Sequence, residues 1–93
     1  MRTIRRTGTF KRDYKRIYKG RHGKTLDAEL TKTVAMLVAD EPLAKRYHDH
    51  SLVGEWKDHR DCHIKPDLVL IYRKTDEGTL DLVRLGSHSE LGL

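Results

Sequence analysis

The fold is decided by the stretch Arg60-Asp61-Cys62-His63-Ile64-Lys65-Pro66-Asp67-Leu68-Val69-Leu70-Ile71-Tyr72. Polar and apolar residues alternate as far as Ile64, and an almost uninterrupted apolar run begins at Leu68. Pro66 disfavours a helical conformation for the residue before it, so a turn should centre on Pro66-Asp67. The pattern predicts two antiparallel strands of a hairpin, with titratable groups at one end.

A third strand follows this hairpin and completes an antiparallel meander. We place the first strand in the alternating run Glu55–Ile64, the central strand at Leu68–Arg73 and the last at Leu80–Leu85, after a reverse turn at Thr75–Gly78. Strict alternation predicts that each strand has two distinct faces. One face should hold Trp56, Cys62 and Ile64 of the first strand, with Lys57, His59, Asp61 and His63 opposite. In the last strand Leu80, Leu82 and Arg84 should face one way, and Asp81, Val83 and Leu85 the other.

The tail, residues 86–93, is too short and too rich in glycine to predict another helix.

The first half of the chain predicts an edge strand and two helices. Residues 2–7 read as a short, charged edge strand that Gly8 ends, and Thr9 is the predicted N-cap of the first helix. The apolar stripe of that helix is Phe10, Tyr14, Ile17 and Tyr18, and the helix should end near Gly20 or Gly23. A second helix should start near Thr25 and be ended by Pro42. Its apolar stripe is Leu26, Leu30, Val34, Leu37 and Val38. Residues 43–54 read as a loop.

Length and charge restrict the class of protein. With 93 residues, of which 37% are hydrophobic and 35% charged, the chain suffices for one small domain with a single modest core. Its longest apolar run is far too short for a membrane span and its single cysteine cannot form an internal disulfide, so we expect a soluble, cytoplasmic protein. Residues 1–25 hold ten Lys or Arg and one acid, Asp13. Such a basic block attracts polyanions, of which RNA and DNA are the commonest.

Histidines give the sharpest chemical signal. Five of the six, all except His22, follow the predicted helices. A meander brings the end of the last strand back to the Pro66-Asp67 turn, so we expect His63, Asp67, Arg84 and possibly His88 to converge. Imidazoles move protons near neutral pH and a guanidinium neutralises phosphate, which are the requirements for cutting RNA without a metal.

Two other interpretations of these residues stay open. A single histidine in a strand or loop is more often a hydrogen-bonding surface residue than a catalyst, which applies to His22, His48 and His59 taken singly. A zinc site is the other possibility, although the spacing matches no closed structural zinc pattern. Its ligands would come from His48, His50, His59, Cys62 and His63. We predict no metal and no cofactor.

With these residues in view, the chain resembles the RelE/ParE toxin superfamily, and within it the YafQ-type mRNA interferases of bacterial toxin–antitoxin pairs. The basic helical hairpin carries part of the resemblance, and three sequence blocks carry the rest. These blocks are Tyr47-His48-Asp49-His50-Ser51-Leu52-Val53-Gly54-Glu55-Trp56-Lys57, Arg60-Asp61-Cys62-His63-Ile64-Lys65-Pro66-Asp67-Leu68 and Arg84-Leu85-Gly86-Ser87-His88-Ser89-Glu90-Leu91.

The resemblance implies an α+β fold, a single RelE-like toxin domain over residues 1–93 with element order β-α-α-β-β-β. It also implies a ribosome-dependent endoribonuclease that cleaves translated mRNA in the ribosomal A site. The implied catalytic residues are His88 as general acid, His63 and Asp67 on the base side, His50 in support, and Arg84 at the phosphate. The first helix would contact ribosomal RNA through Lys11, Arg12, Lys15, Arg16 and Lys19.

The same resemblance implies a cognate antitoxin, DinJ-like or similar, and binding to operator DNA only as the toxin–antitoxin complex. Alternatives are a ParE-like gyrase inhibitor, which would not need the histidines, and a basic RNA-binding module. One feature departs from the family pattern. Members usually end in Leu-Phe, whereas here Leu91 is followed by Gly92-Leu93, so the aromatic ring expected near the scissile nucleotide is missing.

Overall fold

The computed structural model describes residues 1–20 and 22–93 and shows a helical layer on a mixed five-stranded sheet. The helices are α1 (Gly8–Tyr18), α2 (Gly23–Val38) and α3 (His88–Leu91), and two single 3-10 turns lie at Lys45–Tyr47 and Gly54–Trp56. The strands are β1 (Thr3–Arg6), β2 (His50–Ser51), β3 (Arg60–Lys65), β4 (Leu68–Lys74) and β5 (Thr79–Gly86). The predicted α+β class and the main element order β-α-α-β-β-β are confirmed. The two-residue β2 and the terminal α3 were not predicted.

The sheet has the order β1-β5-β4-β3-β2, so β4 is central and β1 lies at an edge, as predicted. β1 runs parallel to β5, while the β2–β3, β3–β4 and β4–β5 pairs are antiparallel. Pro66 and Asp67 form the turn between β3 and β4. Each of the first five residues of β4 is buried, because both faces of this central strand are covered.

Two apolar layers cover the sheet. One joins α1 and α2 to the sheet through side chains such as Phe10, Leu26, Leu37 and Tyr72. The opposite face carries a smaller cluster of Val69, Ile71 and Leu91, against which Leu52, Trp56 and Val83 pack. The helical stripes are therefore confirmed except at Tyr18, which is 50% exposed and stacks on Tyr14.

The helix boundaries correct three predictions. The N-cap of α1 is Thr7 and not Thr9, because the Thr7 hydroxyl accepts the Phe10 N–H at 3.0 Å, and Gly8 is the first helical residue instead of a break. α2 begins at Gly23, where a Cβ would lie 2.0 Å from the Tyr18 carbonyl oxygen, so only glycine allows this close approach. α2 ends at Val38, well before Pro42.

The predicted long strand Glu55–Ile64 is also wrong in its first half. Residues 54–56 form a 3-10 turn, and Asp58 adopts a left-handed φ of 68°, which resets the alternation before β3 begins at Arg60. Trp56 consequently packs against the cluster on the far side of the sheet instead of sharing a face with Cys62.

A bulge in β5 changes the predicted faces of that strand. Tyr72 pairs with Leu82 and Ile71 pairs with Arg84, so Val83 is an extra residue between them. Leu82 and Leu85 therefore both face the helices, contrary to strict alternation. The same shift moves Arg84 to the face of the sheet that bears Ile71.

The tail forms a helix despite its short length. Ser87 and Glu90 make a capping box: the Ser87 hydroxyl accepts the Glu90 N–H at 3.2 Å, and the Glu90 carboxylate accepts the Ser87 N–H at 2.8 Å. Leu91 anchors the turn in the smaller apolar cluster. Among the described residues, no helix is both long and apolar enough to cross a membrane.

Candidate active site

Three imidazole rings form a row on the face of the sheet opposite α1 and α2. The His63 ring lies 5.1 Å from that of His48 and 4.9 Å from that of His88, measured between centroids. Together with Asp49 and His50, these three line an open pocket of about 460 Å³. Different elements supply them: β3 carries His63, the loop before β2 carries His48, and α3 carries His88.

An adjoining pocket of about 660 Å³ extends the site towards β5 and the chain's C-terminal residues. It is lined in part by His50, Asp61, Arg84, His88 and Leu93. The structure thus brings together His50, His63, His88 and Arg84 of the predicted catalytic residues. Leu93, which is 39% exposed, stands in this wall near the position where the family pattern predicts an aromatic ring.

Asp61 is a buried carboxyl group beneath the histidines that sequence reasoning did not select. Its residue is only 1% exposed, and its Oδ1 atom accepts no hydrogen bond from the described residues. Burial raises the pKa of Asp61 above its ordinary value, while attraction to His50, His63 and His88 opposes that rise. The alternation of β3 placed Asp61 on the face of His63, but only the covering loop reveals that it is buried.

His50 has one ring nitrogen already engaged. Its Nδ1 lies 2.8 Å from the His48 carbonyl oxygen and 3.1 Å from Asp61 Oδ1. Because a carbonyl oxygen can only accept, Nδ1 carries the hydrogen atom and donates a hydrogen bond to the His48 carbonyl oxygen. In the neutral ring Nε2 is then left as a proton acceptor.

Asp49 fixes the loop that presents His48 and His50. Its carboxylate accepts the Tyr72 hydroxyl and the Arg60 guanidinium, whose Nε and Nη2 lie at 3.3 and 3.2 Å. Tyr72 is 1% exposed, and burial together with the Asp49 carboxylate raises its pKa. A buried strand residue therefore holds the histidine loop in place.

Arg84 reaches the site with part of its guanidinium committed to α1. Its Nε and Nη2 donate to the Asp13 carboxylate at 2.8 and 3.1 Å, and the Leu85 N–H donates to the same carboxylate at 3.0 Å. This pairing raises the pKa of Arg84. Asp13, buried at 5% exposure, was not identified from the sequence as a functional residue, yet it sets the position of Arg84.

Asp67 lies apart from the histidine row. Its carboxylate is 3.4 Å from His22 Nε2, and both residues line a separate cleft of about 250 Å³ beside the end of α1. The β3–β4 turn thus places the Asp67 side chain towards the helices. Its predicted part on the base side of the reaction stays a prediction.

The five basic residues predicted to contact RNA are all exposed on α1 or directly after it. Lys11 and Lys15 stand at the rim of an apolar groove of about 690 Å³ between α1 and α2. Arg16 is engaged by Asp13 and Glu90, and Arg12 donates to Thr9 at 3.3 Å.

The residues that a zinc site would need lie in different parts of the structure. Cys62 is fully buried in the core on the helical side, where burial raises the pKa of its thiol, and His59 lies against Trp56 with 5.5 Å between ring centroids. Within residues 1–20 and 22–93, no three His, Cys, Asp or Glu side chains are grouped so as to hold a metal ion.

Residues 2–92 match the model of a family described as "Bacterial toxin of type II toxin-antitoxin system, YafQ". The chain belongs to the YafQ toxin family. Among named relatives, the "mRNA interferase toxin YafQ" of Escherichia coli K12 is 38% identical over 91 residues, which cover 97% of this chain and 95% of that protein. The "Putative toxin YafQ" of Haemophilus influenzae is 51% identical over 55 residues, 56% of this chain but only about half (54%) of the relative. The predicted family is confirmed, and the predicted endoribonuclease class agrees with the name of the E. coli relative.

Solved structures of the family share the fold. A metal-bound toxin from Helicobacter pylori is 44% identical with a TM-score of 0.83, over 98% of this chain and 99% of that one. YafQ in the E. coli DinJ-YafQ complex is 33% identical with a TM-score of 0.78, over 98% of each chain. The RelE-like architecture is therefore confirmed.

Proposed function

We propose that this chain, as one domain in the cytoplasm, is a ribosome-dependent endoribonuclease that cuts translated mRNA in the ribosomal A site, and that it does so without a metal cofactor. The observation that supports the proposal most directly is the row of His48, His63 and His88 beside Arg84, open to solvent and set over the buried Asp61. A gyrase inhibitor on the same scaffold would not require this row, so the row favours the nuclease.

In the proposed reaction, a base removes the proton of a ribose 2′-hydroxyl and the oxygen attacks the adjacent phosphorus. An acid then protonates the departing 5′-oxygen, which leaves a 2′,3′-cyclic phosphate on the upstream fragment. We assign the acid to His88 and the base side to His63, with His50 in support through its available Nε2 atom. Arg84 stabilises the charge that develops on the phosphate oxygens.

A neutralising antitoxin is the second part of the proposal. The apolar groove between α1 and α2, with Lys11, Lys15 and Arg6 among its lining residues, suits an amphipathic and acidic segment of such a partner. The family relative in complex with DinJ supports this inference. We propose that operator DNA is bound only by the toxin–antitoxin pair. The free toxin contacts ribosomal RNA through the basic residues of α1, the helix that also forms one side of this groove.

Expression in bacteria tests the nuclease directly. We expect the wild-type chain to arrest growth and to generate new mRNA 5′ ends, detected by primer extension, on a translated reporter but not on one whose start codon is destroyed. A His63→Ala, His88→Ala double variant should produce neither effect, whereas His59→Gln, a histidine change outside the row, should behave as wild type. The nuclease assignment fails if the double variant and the wild type give the same cleavage pattern.

A further inference from the structure

His48 is a member of the histidine row that the proposed reaction leaves without a role. We propose that His48, when protonated, binds the RNA phosphate that neighbours the scissile one. This inference rests on the proposed function, since it extends the same RNA path beyond His63. His48 is exposed, its ring borders that of His63, and both line the 460 Å³ pocket.

The charges around His48 suit an anion. The 3-10 turn before it carries Lys45 and Arg46, of which Arg46 lies over the Tyr47 ring, and the pocket adds His50, His63 and His88. Two carboxylates lie nearby, but Asp49 is engaged by Arg60 and Tyr72, and Asp61 is buried beneath His50. A protonated imidazole on this rim can therefore offer its N–H to a phosphate oxygen.

The backbone of His48 is held in an unfavourable conformation. Its φ and ψ are 48° and 44°, the left-handed region, which strains a residue that has a Cβ. Its N–H donates to the Lys45 carbonyl and its own carbonyl accepts from His50. Glycine would fit this backbone better, so the presence of an imidazole here is consistent with a use for the side chain.

Binding of an uncleavable RNA tests the proposal apart from catalysis. The probe is a 2′-O-methylated oligoribonucleotide, which lacks the attacking hydroxyl, and its affinity is measured by fluorescence anisotropy at pH 6 and pH 8 over a range of salt. Wild type should bind more tightly at pH 6 than at pH 8, because a charged imidazole attracts phosphate and a neutral one does not. His48→Gln should lose about tenfold in affinity at pH 6. For His48→Gln, the plot of log affinity against log salt concentration should also be shallower than that of wild type by about 0.7, the contribution of one phosphate contact on a single strand.

Two matched controls separate this role from a structural one. His59→Gln removes a histidine outside the row and should leave affinity, pH dependence and salt slope unchanged. Asp58→Gly relieves another left-handed residue, with φ of 68°, and should also leave binding unchanged. His48→Gly should match or exceed the thermal stability of wild type and yet bind the probe as weakly as His48→Gln.

The outcomes for His48 and for the nuclease are distinguishable. If His48→Gln and His59→Gln bind the probe equally well at pH 6, the role of His48 is refuted even where wild type cuts mRNA. If wild type cuts no mRNA, the proposed function is refuted, while the binding data still decide whether His48 contacts phosphate. A loss of binding in Asp58→Gly as large as that in His48→Gly would also overturn the proposal.

Discussion

Replacing Asp13 with alanine should lower the free energy of unfolding by about 3 kcal/mol at neutral pH, because it removes the carboxylate that two arginines and a strand N–H share. Asp13 accepts from Arg84 and from the Leu85 N–H, and Arg16 Nη2 lies 3.4 Å away. Without it, the Leu85 N–H and the Arg84 guanidinium both lose their acceptor. Chemical denaturation should show the loss.

The pH dependence gives this prediction a signature. Burial alone would raise the pKa of Asp13, but the hydrogen bonds from Arg84 and Leu85 lower it below the ordinary value. The stabilisation is therefore fully present above the ordinary carboxyl range and is lost as the pH falls through the lowered pKa. The stability gap between wild type and Asp13→Ala should narrow under acid conditions. Asp76→Ala, an exposed change in the β4–β5 turn, should leave stability unchanged, and an equal effect of the two variants would contradict the account.

Replacing Asp61 with asparagine should have opposite effects on stability and on activity. The buried carboxylate lacks a hydrogen bond to Oδ1, so a neutral amide of the same shape should raise the free energy of unfolding by about 1 kcal/mol at neutral pH. Because the pKa of Asp61 is higher in the folded protein than in the unfolded chain, the charged carboxylate destabilises the folded wild type and protonation removes this cost. The advantage of the variant should therefore grow as the pH rises through the carboxyl's titration and vanish in acid.

Activity should fall in the same variant. The carboxylate attracts the positive charge that develops on the imidazoles during proton transfer, with His50 Nδ1 3.1 Å away, and its loss should slow mRNA cleavage by about tenfold at neutral pH. Slower cleavage by a variant that is more stable than the wild type is a result that a purely structural role would not produce. Denaturation curves and single-turnover rates over a pH series measure both effects, with Asp76→Asn as the control. A variant that is less stable at neutral pH yet cleaves at the wild-type rate would contradict the role assigned to Asp61.

The apolar patterns predicted the architecture because period-2 and period-3.6 repeats report which faces are buried. Strand β4, the Pro66-Asp67 turn and the stripes of α1 and α2 follow from them directly. What the patterns could not contain is irregular backbone. The left-handed Asp58 shortened β3 and moved Trp56 to the other side of the sheet, and the bulge at Val83 reversed the predicted face of Arg84.

The candidate site could likewise be predicted only in part, because a sequence pattern does not contain irregular backbone. The meander and the family resemblance together supplied His50, His63, Arg84 and His88, which the structure gathers around two adjoining pockets. Asp67 flanks the correct turn, but its side chain reaches His22, since strand register does not specify how a turn orients its residues. Asp13 and Asp49 act through long-range hydrogen bonds and Asp61 acts through its burial, for which a sequence period gives no signal.

The chemical nature of the cut end tests the central claim most directly. Purified protein is added to ribosomes programmed with a defined mRNA, and the 3′ end of the upstream fragment is analysed by mass spectrometry at the earliest times. The reaction is run with and without a chelator selective for zinc and copper, at a constant magnesium concentration that keeps the ribosomes intact. Acid–base catalysis by the histidine row predicts a 2′,3′-cyclic phosphate, formed at the same rate in both conditions. A 3′-hydroxyl on that fragment, or cleavage abolished by that chelator while the ribosomes stay intact, would contradict it.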